Sequence, residues 1–351
     1  MKTLKALYIQ GKECLSFRTD APIPEISERE TLIRIKYAGI CGSDVHNYRN
    51  GIDHFGGKPF ILGHEFIGTV VKIGDPSQAD YQVGDTVTAL TFDACGKCEP
   101  CRNGRPSICE SLVNCGFGKD GTYAEYVKVD SSKVYKFREG INKRAAILTE
   151  PLAVAVFDLA MSGFRVGQSV FISGGGPIGA IIAALAKTAG ASRIAISEIN
   201  ENRLPFLRSL GAKTFNPLQQ DVLKDALAWN DNEKFDVAFE VAGAQSSYDL
   251  IFDVIKRGGT VVPVAPVAAP RSIAWAPLLR GQIRIVPVNL YDDIYFADAV
   301  RIVNSGMMDD VLEKFVTNIY PIDQAQEAYL ASMNPTGSHV KILIDCDPEH
   351  D

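Results

Sequence analysis

Four cysteines fall within fifteen residues, spaced C-x2-C-x2-C-x7-C in TFDACGKCEPCRNGRPSIC: Cys95, Cys98, Cys101 and Cys109. Four thiolates at such short range, with Gly96, Pro100 and Gly104 letting the backbone fold around a centre, match a closed tetrahedral zinc site. An iron–sulfur cluster uses similar short runs and is the competing metal, while disulfide pairing is the reading least suited to loops this tight. A set with no open ligand position holds a structural metal. Cys14, Cys115 and Cys346 have no partners at ligand spacing and read as ordinary thiols.

A second donor set is scattered: Cys41 in GICGSDVHNY, His64 with Glu65 in LGHEFIG, and Glu150 in LTEPLAV. Each has a bland reading alone, as a core thiol, a satisfied imidazole or a loop carboxylate. Taken together they are a Cys, His and carboxylate set of the open kind that leaves a place for water or substrate.

The third chemical feature is VFISGGGPIG (170–179), an apolar run that breaks into glycines and continues as AIIAALAKTAGA. Gly174, Gly176 and Gly179 form G-x-G-x-x-G, with Pro177 and Ile178 at the start of a predicted helix. The first glycine permits a tight turn, the second lets the backbone approach a pyrophosphate, and the third lets helix and strand pack closely. Nineteen residues after Gly179, a second strand-like run ends at Glu198, where an acid is expected to accept from the ribose 2′-hydroxyl. A carboxylate there repels a 2′-phosphate and favours NAD over NADP, although Arg203 lies close by in sequence.

The elements that must position these groups divide the chain of 351 residues. Residues 1–152 read as a β-rich domain with period-two runs at Thr31 to Tyr37, Ile67 to Ile73 and Thr86 to Thr91. Residues 153–290 alternate strands (169–174, 193–198, 236–241, 260–264, 283–288) with helices from about 177, 201 and 246, the doubly wound α/β plan. Residues 291–351 add a helix from Tyr295 to Ser305 and a last strand, Val340 to Asp345, which returns to the first domain. Charged residues make up 22% of the chain and its net charge is −6, with no basic run, so nucleic acid is excluded as the main partner. The opening MKTLKALYIQGKECLSF has no continuous apolar stretch, and no eighteen apolar residues run together. A soluble, cytoplasmic protein without a membrane partner is expected.

These motifs, CGSDVH (41–46), GHEFIG (63–68), the cysteine lobe, DGTYAEY (120–126), EPLAV (150–154), SGGGPIG (173–179) and FEVAG (239–243), occur in one order along essentially the whole chain. In that order they resemble the zinc-dependent medium-chain dehydrogenases, in the sorbitol, butanediol and threonine dehydrogenase branch. The resemblance implies a GroES-like catalytic domain beside a Rossmann domain, a catalytic and a structural zinc, NAD as cofactor, and a homodimer or homotetramer. By the same resemblance Cys41 and His64 bind the catalytic zinc, with the carboxylates of Glu65 and Glu150 completing or exchanging in its shell. Ser43 then meets the substrate oxygen, His46 is the outer end of a proton relay, and Asp44 sits buried behind the ligands. Read without the family, Ser43 and Asp44 are helix N-cap residues.

The implied activity is hydride transfer between a secondary alcohol and NAD, giving a ketone. Two positions depart from the animal sorbitol dehydrogenases: Asn47 stands where those have Tyr, and Leu290 where an Arg is expected. The expected substrates therefore span polyols, diols, sugar acids and sugar-alcohol phosphates, and Arg49, His54 and Lys58 either meet an anionic group or form a solvated loop. An NADPH-dependent carbonyl reductase is the alternative activity. A zinc-stapled cofactor-binding protein without turnover is the alternative class.

Overall fold

The computed structural model describes residues 3–267, 269–334 and 336–349. The chain forms two compact units, one built from the chain up to Glu150 and from Asp292 onward, the other from Pro151–Tyr291.

In the first unit the central strand Glu30–Gly39 pairs antiparallel with Glu65–Ile73 on one side and with Lys341–Asp345 on the other. That last strand comes from the far end of the chain. The register sets Gly39 opposite both Glu65 and Leu343, so segments hundreds of residues apart meet across one glycine. A Cβ on Gly39 would lie 2.1 Å from Glu65 Oε2, and the missing side chain is what lets the Glu65 carboxylate lie there. The apolar core beneath this sheet joins Ile33, Ile35 and Phe66 to Tyr123, Tyr329 and Ile344.

The second unit contains one parallel sheet: β1 Ser169–Ser173, β2 Arg193–Ser197, β3 Lys213–Phe215, β4 Phe235–Glu240, β5 Ile255–Pro263 and β6 Arg284–Ile285. Their order, 3-2-1-4-5-6, is that of the Rossmann fold. β1 is buried throughout, as a strand covered on both faces must be. The strand expected over 283–288 is regular only over Arg284–Ile285, although the Val286 and Val288 N–H groups still donate to the Val261 and Pro263 carbonyls of the neighbouring strand. The helix expected from about 201 opens as a 3-10 turn, Glu201–Arg203, and continues as Leu204–Ser209. The helix expected at 295–305 runs Asp293–Ser305.

Candidate active site

Helix Gly42–Asn50 begins at Cys41, whose extended backbone makes it the N-cap. The capping group is the Asp44 carboxylate, three residues on, which accepts from the Cys41 N–H at 3.1 Å. Ser43 therefore caps nothing. Its buried hydroxyl has no hydrogen-bond partner among the described residues. His46, one turn along, is exposed, and its Nε2 lies 2.9 Å from Asn50 Nδ2. Asn47 is buried with its amide turned toward the Gly116 carbonyl, whereas Arg49, His54 and Lys58 are exposed.

Donor atoms of Cys41, His64 and Glu65 all lie within 4.8 Å of one another. Asp44 Oδ1 faces His64 Nδ1 at 3.5 Å without a formed hydrogen bond, and this facing carboxylate favours a proton on Nδ1 with Nε2 left for a metal. Burial works against charge on His64, but Asp44 and the Cys41 sulfur outweigh it and hold the imidazole well above its usual pKa in the metal-free protein. A cation in place of the proton answers the same field. Phe117 stacks edge-on to the His64 ring with centroids 5.4 Å apart and forms an apolar wall.

Glu65 does not stand alone. Both its oxygens accept from Lys341 Nζ at 2.8 Å, and that ammonium also reaches the Ile40 carbonyl at 3.2 Å. Burial opposes the charge of Lys341, yet Glu65 first, then Cys41 and Glu150, raise its pKa above the ordinary lysine value. Glu150 is buried in the first turn of helix Thr149–Ser162, outside the trio of donors, and acts on Lys341 through its charge. Lys341 was not foreseen from the sequence. A lysine flanked by apolar residues in VKILI, where a strand interior is expected, was the available signal.

The other four sulfurs, of Cys95, Cys98, Cys101 and Cys109, also lie within 4.8 Å of one another, and all eight cysteines are free. Cys95 Sγ accepts from the Cys98 N–H at 3.3 Å, and Cys109 Sγ accepts from the N–H groups of Cys95 (3.2 Å) and Ser111 (3.3 Å). Amide donation lowers the Cys95 thiol to about 6, whereas burial and the neighbouring sulfurs push Cys101 up to about 12. Four thiolates cannot coexist here without a cation, and a tetrahedral dication fits this donor set.

In the second unit a cavity of about 330 Å³ is lined by Gly174, Gly176, Glu198, Arg203 and Ser247, among others. Gly174 has φ +105 and lies against Ala242, where a Cβ would come within 2.9 Å of the main chain. A Cβ on Gly179 would lie 2.0 Å from the Gly174 carbonyl, while beside Gly176 the space is open as far as Arg203. Gly176 is the N-cap and Pro177 the first residue of helix Pro177–Thr188, with Ile178 following. Glu198 is buried, one oxygen accepting from the Gly175 N–H and the other from the Asn200 N–H, each at 2.7 Å. Arg203 Nε is buried without a hydrogen-bond partner among the described residues. Glu240 also shapes the cavity wall, its Oε1 gathering the N–H groups of Ala242 and Gly243 and the Ser247 hydroxyl.

A Rossmann unit with a glycine-turn cavity, a β-rich unit with an open Cys–His–Glu set, and a four-cysteine lobe together define a zinc-dependent dehydrogenase. The chain matches the models for the alcohol dehydrogenase GroES-like domain over residues 27–139 and for zinc-binding dehydrogenase over 177–305. It is 30% identical to 2-dehydro-3-deoxy-L-galactonate 5-dehydrogenase of Pseudoalteromonas atlantica, covering 98% of this chain and 99% of that one. It is also 30% identical to L-threonine 3-dehydrogenase of Escherichia coli, covering 98% and 100%. The structure of L-idonate 5-dehydrogenase from Escherichia coli superimposes with a TM-score of 0.87 at 26% identity, covering 98% of each chain. The chain belongs to the zinc-dependent medium-chain dehydrogenase/reductase family, in the polyol and threonine dehydrogenase branch. It is an alcohol dehydrogenase that uses zinc and a nicotinamide dinucleotide.

Proposed function

We propose that the protein oxidises a secondary alcohol of a polyol or sugar acid to a ketone with NAD, using Cys41, His64, Glu65, Glu150, Ser43 and His46. The observation that carries this reading is the meeting of the Cys41, His64 and Glu65 donors at the start of the helix that bears the unpartnered Ser43 hydroxyl. Zinc held there supplies Lewis acidity that makes an alcohol proton removable near neutral pH. The Ser43 hydroxyl, which has no hydrogen-bond partner among the described residues, would accept the alcohol proton while giving up its own, and exposed His46 would pass a proton to solvent. Asp44 keeps His64 in the ligating tautomer, and the Lys341 ammonium balances the Glu65 charge when that carboxylate is not on the metal.

Two observations support a sugar acid within this class. Two similar proteins are named for oxidation at position 5 of such molecules, and this chain carries the exposed side chains of Arg49, His54 and Lys58 in and just after the helix that begins at Cys41. NAD is favoured because Glu198 is a buried carboxylate with both oxygens anchored in the cavity wall, ready for a ribose hydroxyl and repellent to phosphate. Free thiols throughout accord with a cytoplasmic location, and no helix among the described residues is long and apolar enough to cross a membrane. Assembly as a homodimer or homotetramer belongs to the same reading, and size-exclusion chromatography with light scattering checks it.

The test is a metal count combined with a panel of polyols, diols, sugar acids and sugar phosphates under both cofactors. Two zincs per chain are expected. Cys41→Ala should abolish turnover while leaving dinucleotide binding intact, because the glycine turn belongs to the other unit. One zinc in the parent, or parental turnover in Cys41→Ala, refutes the reading.

A further inference from the structure

Tyr123 belongs to DGTYAEY and is wholly buried, and its hydroxyl donates to Asp44 Oδ2 at 2.5 Å, with the Gly39 carbonyl a more distant acceptor at 3.2 Å. Among the described residues that oxygen has one other donor, the Cys41 N–H at 3.1 Å, while Oδ1 is the oxygen that faces His64 Nδ1. The Tyr123 hydroxyl thus touches the group that orients one metal ligand and caps the other.

Its position is set by the turn that carries His64. The Tyr123 N–H donates to the Leu62 carbonyl at 2.8 Å, and the preceding Thr122 N–H donates to the Gly63 carbonyl at 3.0 Å. Gly63 adopts φ +94, and a Cβ there would lie 2.5 Å from the tyrosine ring, so the glycine leaves room for the ring. One segment therefore fixes the His64 turn through its main chain and Asp44 through its side chain.

We propose that Tyr123 is a positioning residue for the catalytic metal, its hydroxyl fixing the rotation of the Asp44 carboxylate so that His64 presents Nε2. This rests on the reading that Cys41 and His64 hold that metal. The torsion of a carboxylate about its last bond is soft, and burial excludes water as a substitute donor. Without the phenol, Oδ2 keeps, among the described residues, the Cys41 N–H alone, and the plane facing His64 is no longer defined. Tyr329 supplies a matched control, since it is equally buried and its hydroxyl donates at 2.5 Å to the Asp44 main-chain oxygen, not to the carboxylate.

The experiment compares zinc-loaded parent, Tyr123→Phe and Tyr329→Phe. Zinc release to a chelator is followed, together with the visible absorption of protein whose catalytic centre has been exchanged to cobalt. Tyr123→Phe is expected to release the catalytic zinc about tenfold faster, the low end for groups that orient metal ligands. Its cobalt bands should shift while the four-cysteine zinc stays in place. Tyr329→Phe should keep the parental release rate and bands. Parental behaviour in Tyr123→Phe, or equal acceleration in both variants, overturns the proposal. If Tyr123→Phe cannot be purified, Asp44→Asn, which keeps the side-chain volume, must show the faster release, and parental release from it overturns the proposal equally. A parent with one zinc per chain removes the underlying reading instead, and the metal count distinguishes the two failures.

Discussion

Replacing Lys341 by Met is expected to strand a negative charge behind the active site. The ammonium and the Glu65 carboxylate are both almost wholly buried, with side-chain exposures of 2% and 1%, and are joined by two contacts of 2.8 Å. The Ile40 carbonyl takes a further donor at 3.2 Å. Removing one member of such a pair leaves an uncompensated charge and costs about 3–5 kcal/mol. That corresponds to roughly two to three and a half decades in the folding equilibrium. A double variant, Lys341→Met with Glu65→Leu, removes both charges and should recover most of the loss, because apolar groups of similar volume replace a buried pair nearly without cost. Urea unfolding followed by far-ultraviolet circular dichroism measures all three proteins at pH 7, with metal stripped so that zinc cannot take over the freed carboxylate. The pair also has a pH signature. The folded pKa of Lys341 lies above the unfolded value of 10.5, so its stabilisation is fully present below that value and is lost only as pH rises through the folded pKa. A single variant that unfolds within about 0.5 kcal/mol of the parent, or a double variant as unstable as the single, refutes the reasoning.

Three other outcomes follow from the same geometry. Cys98→Ser should lose one zinc and lower thermal stability while the folded remainder keeps its turnover per catalytic zinc; an unchanged melting temperature with that zinc gone contradicts a structural role. Asp158 is buried with neither oxygen partnered among the described residues, and desolvation raises its pKa well above 3.8. The folded protein therefore holds this proton more tightly than the unfolded chain, and stability falls as pH rises from 3.8 toward the folded value; Asp158→Asn should be more stable at neutral pH by about 1–3 kcal/mol, with the gain vanishing below about pH 4 in paired urea titrations. Glu198→Ser should weaken NAD and improve NADP, since it removes a hydroxyl acceptor and a charge that repels phosphate; a parent that already prefers NADP in direct kinetic comparison sinks the NAD assignment.

The local chemistry was legible because it depends on short spacings. Cysteines two residues apart bring their sulfurs round one centre whatever the rest of the chain does, and a glycine turn between an apolar strand and a helix builds its own phosphate-facing amides. Pro177 at the first helical position and Glu198 at the end of the second strand belong to the same local grammar. The residue types at 41, 64 and 65 suggested a metal-binding set, but nothing in their spacing brings them together, and their roles were readable only through the ordered motifs. Tertiary structure decided what stands behind them. Lys341 reaches Glu65 because the last strand pairs with Glu30–Gly39 and a glycine there leaves room for the carboxylate. Tyr123 reaches Asp44 because its segment hydrogen-bonds across the His64 turn. Glu150 is placed by the helix that starts at Thr149, where its charge acts on Lys341. Buried charge and hydroxyl pairs are set by strand register and loop packing over hundreds of residues, and a linear pattern carries no record of which partner closes each pair.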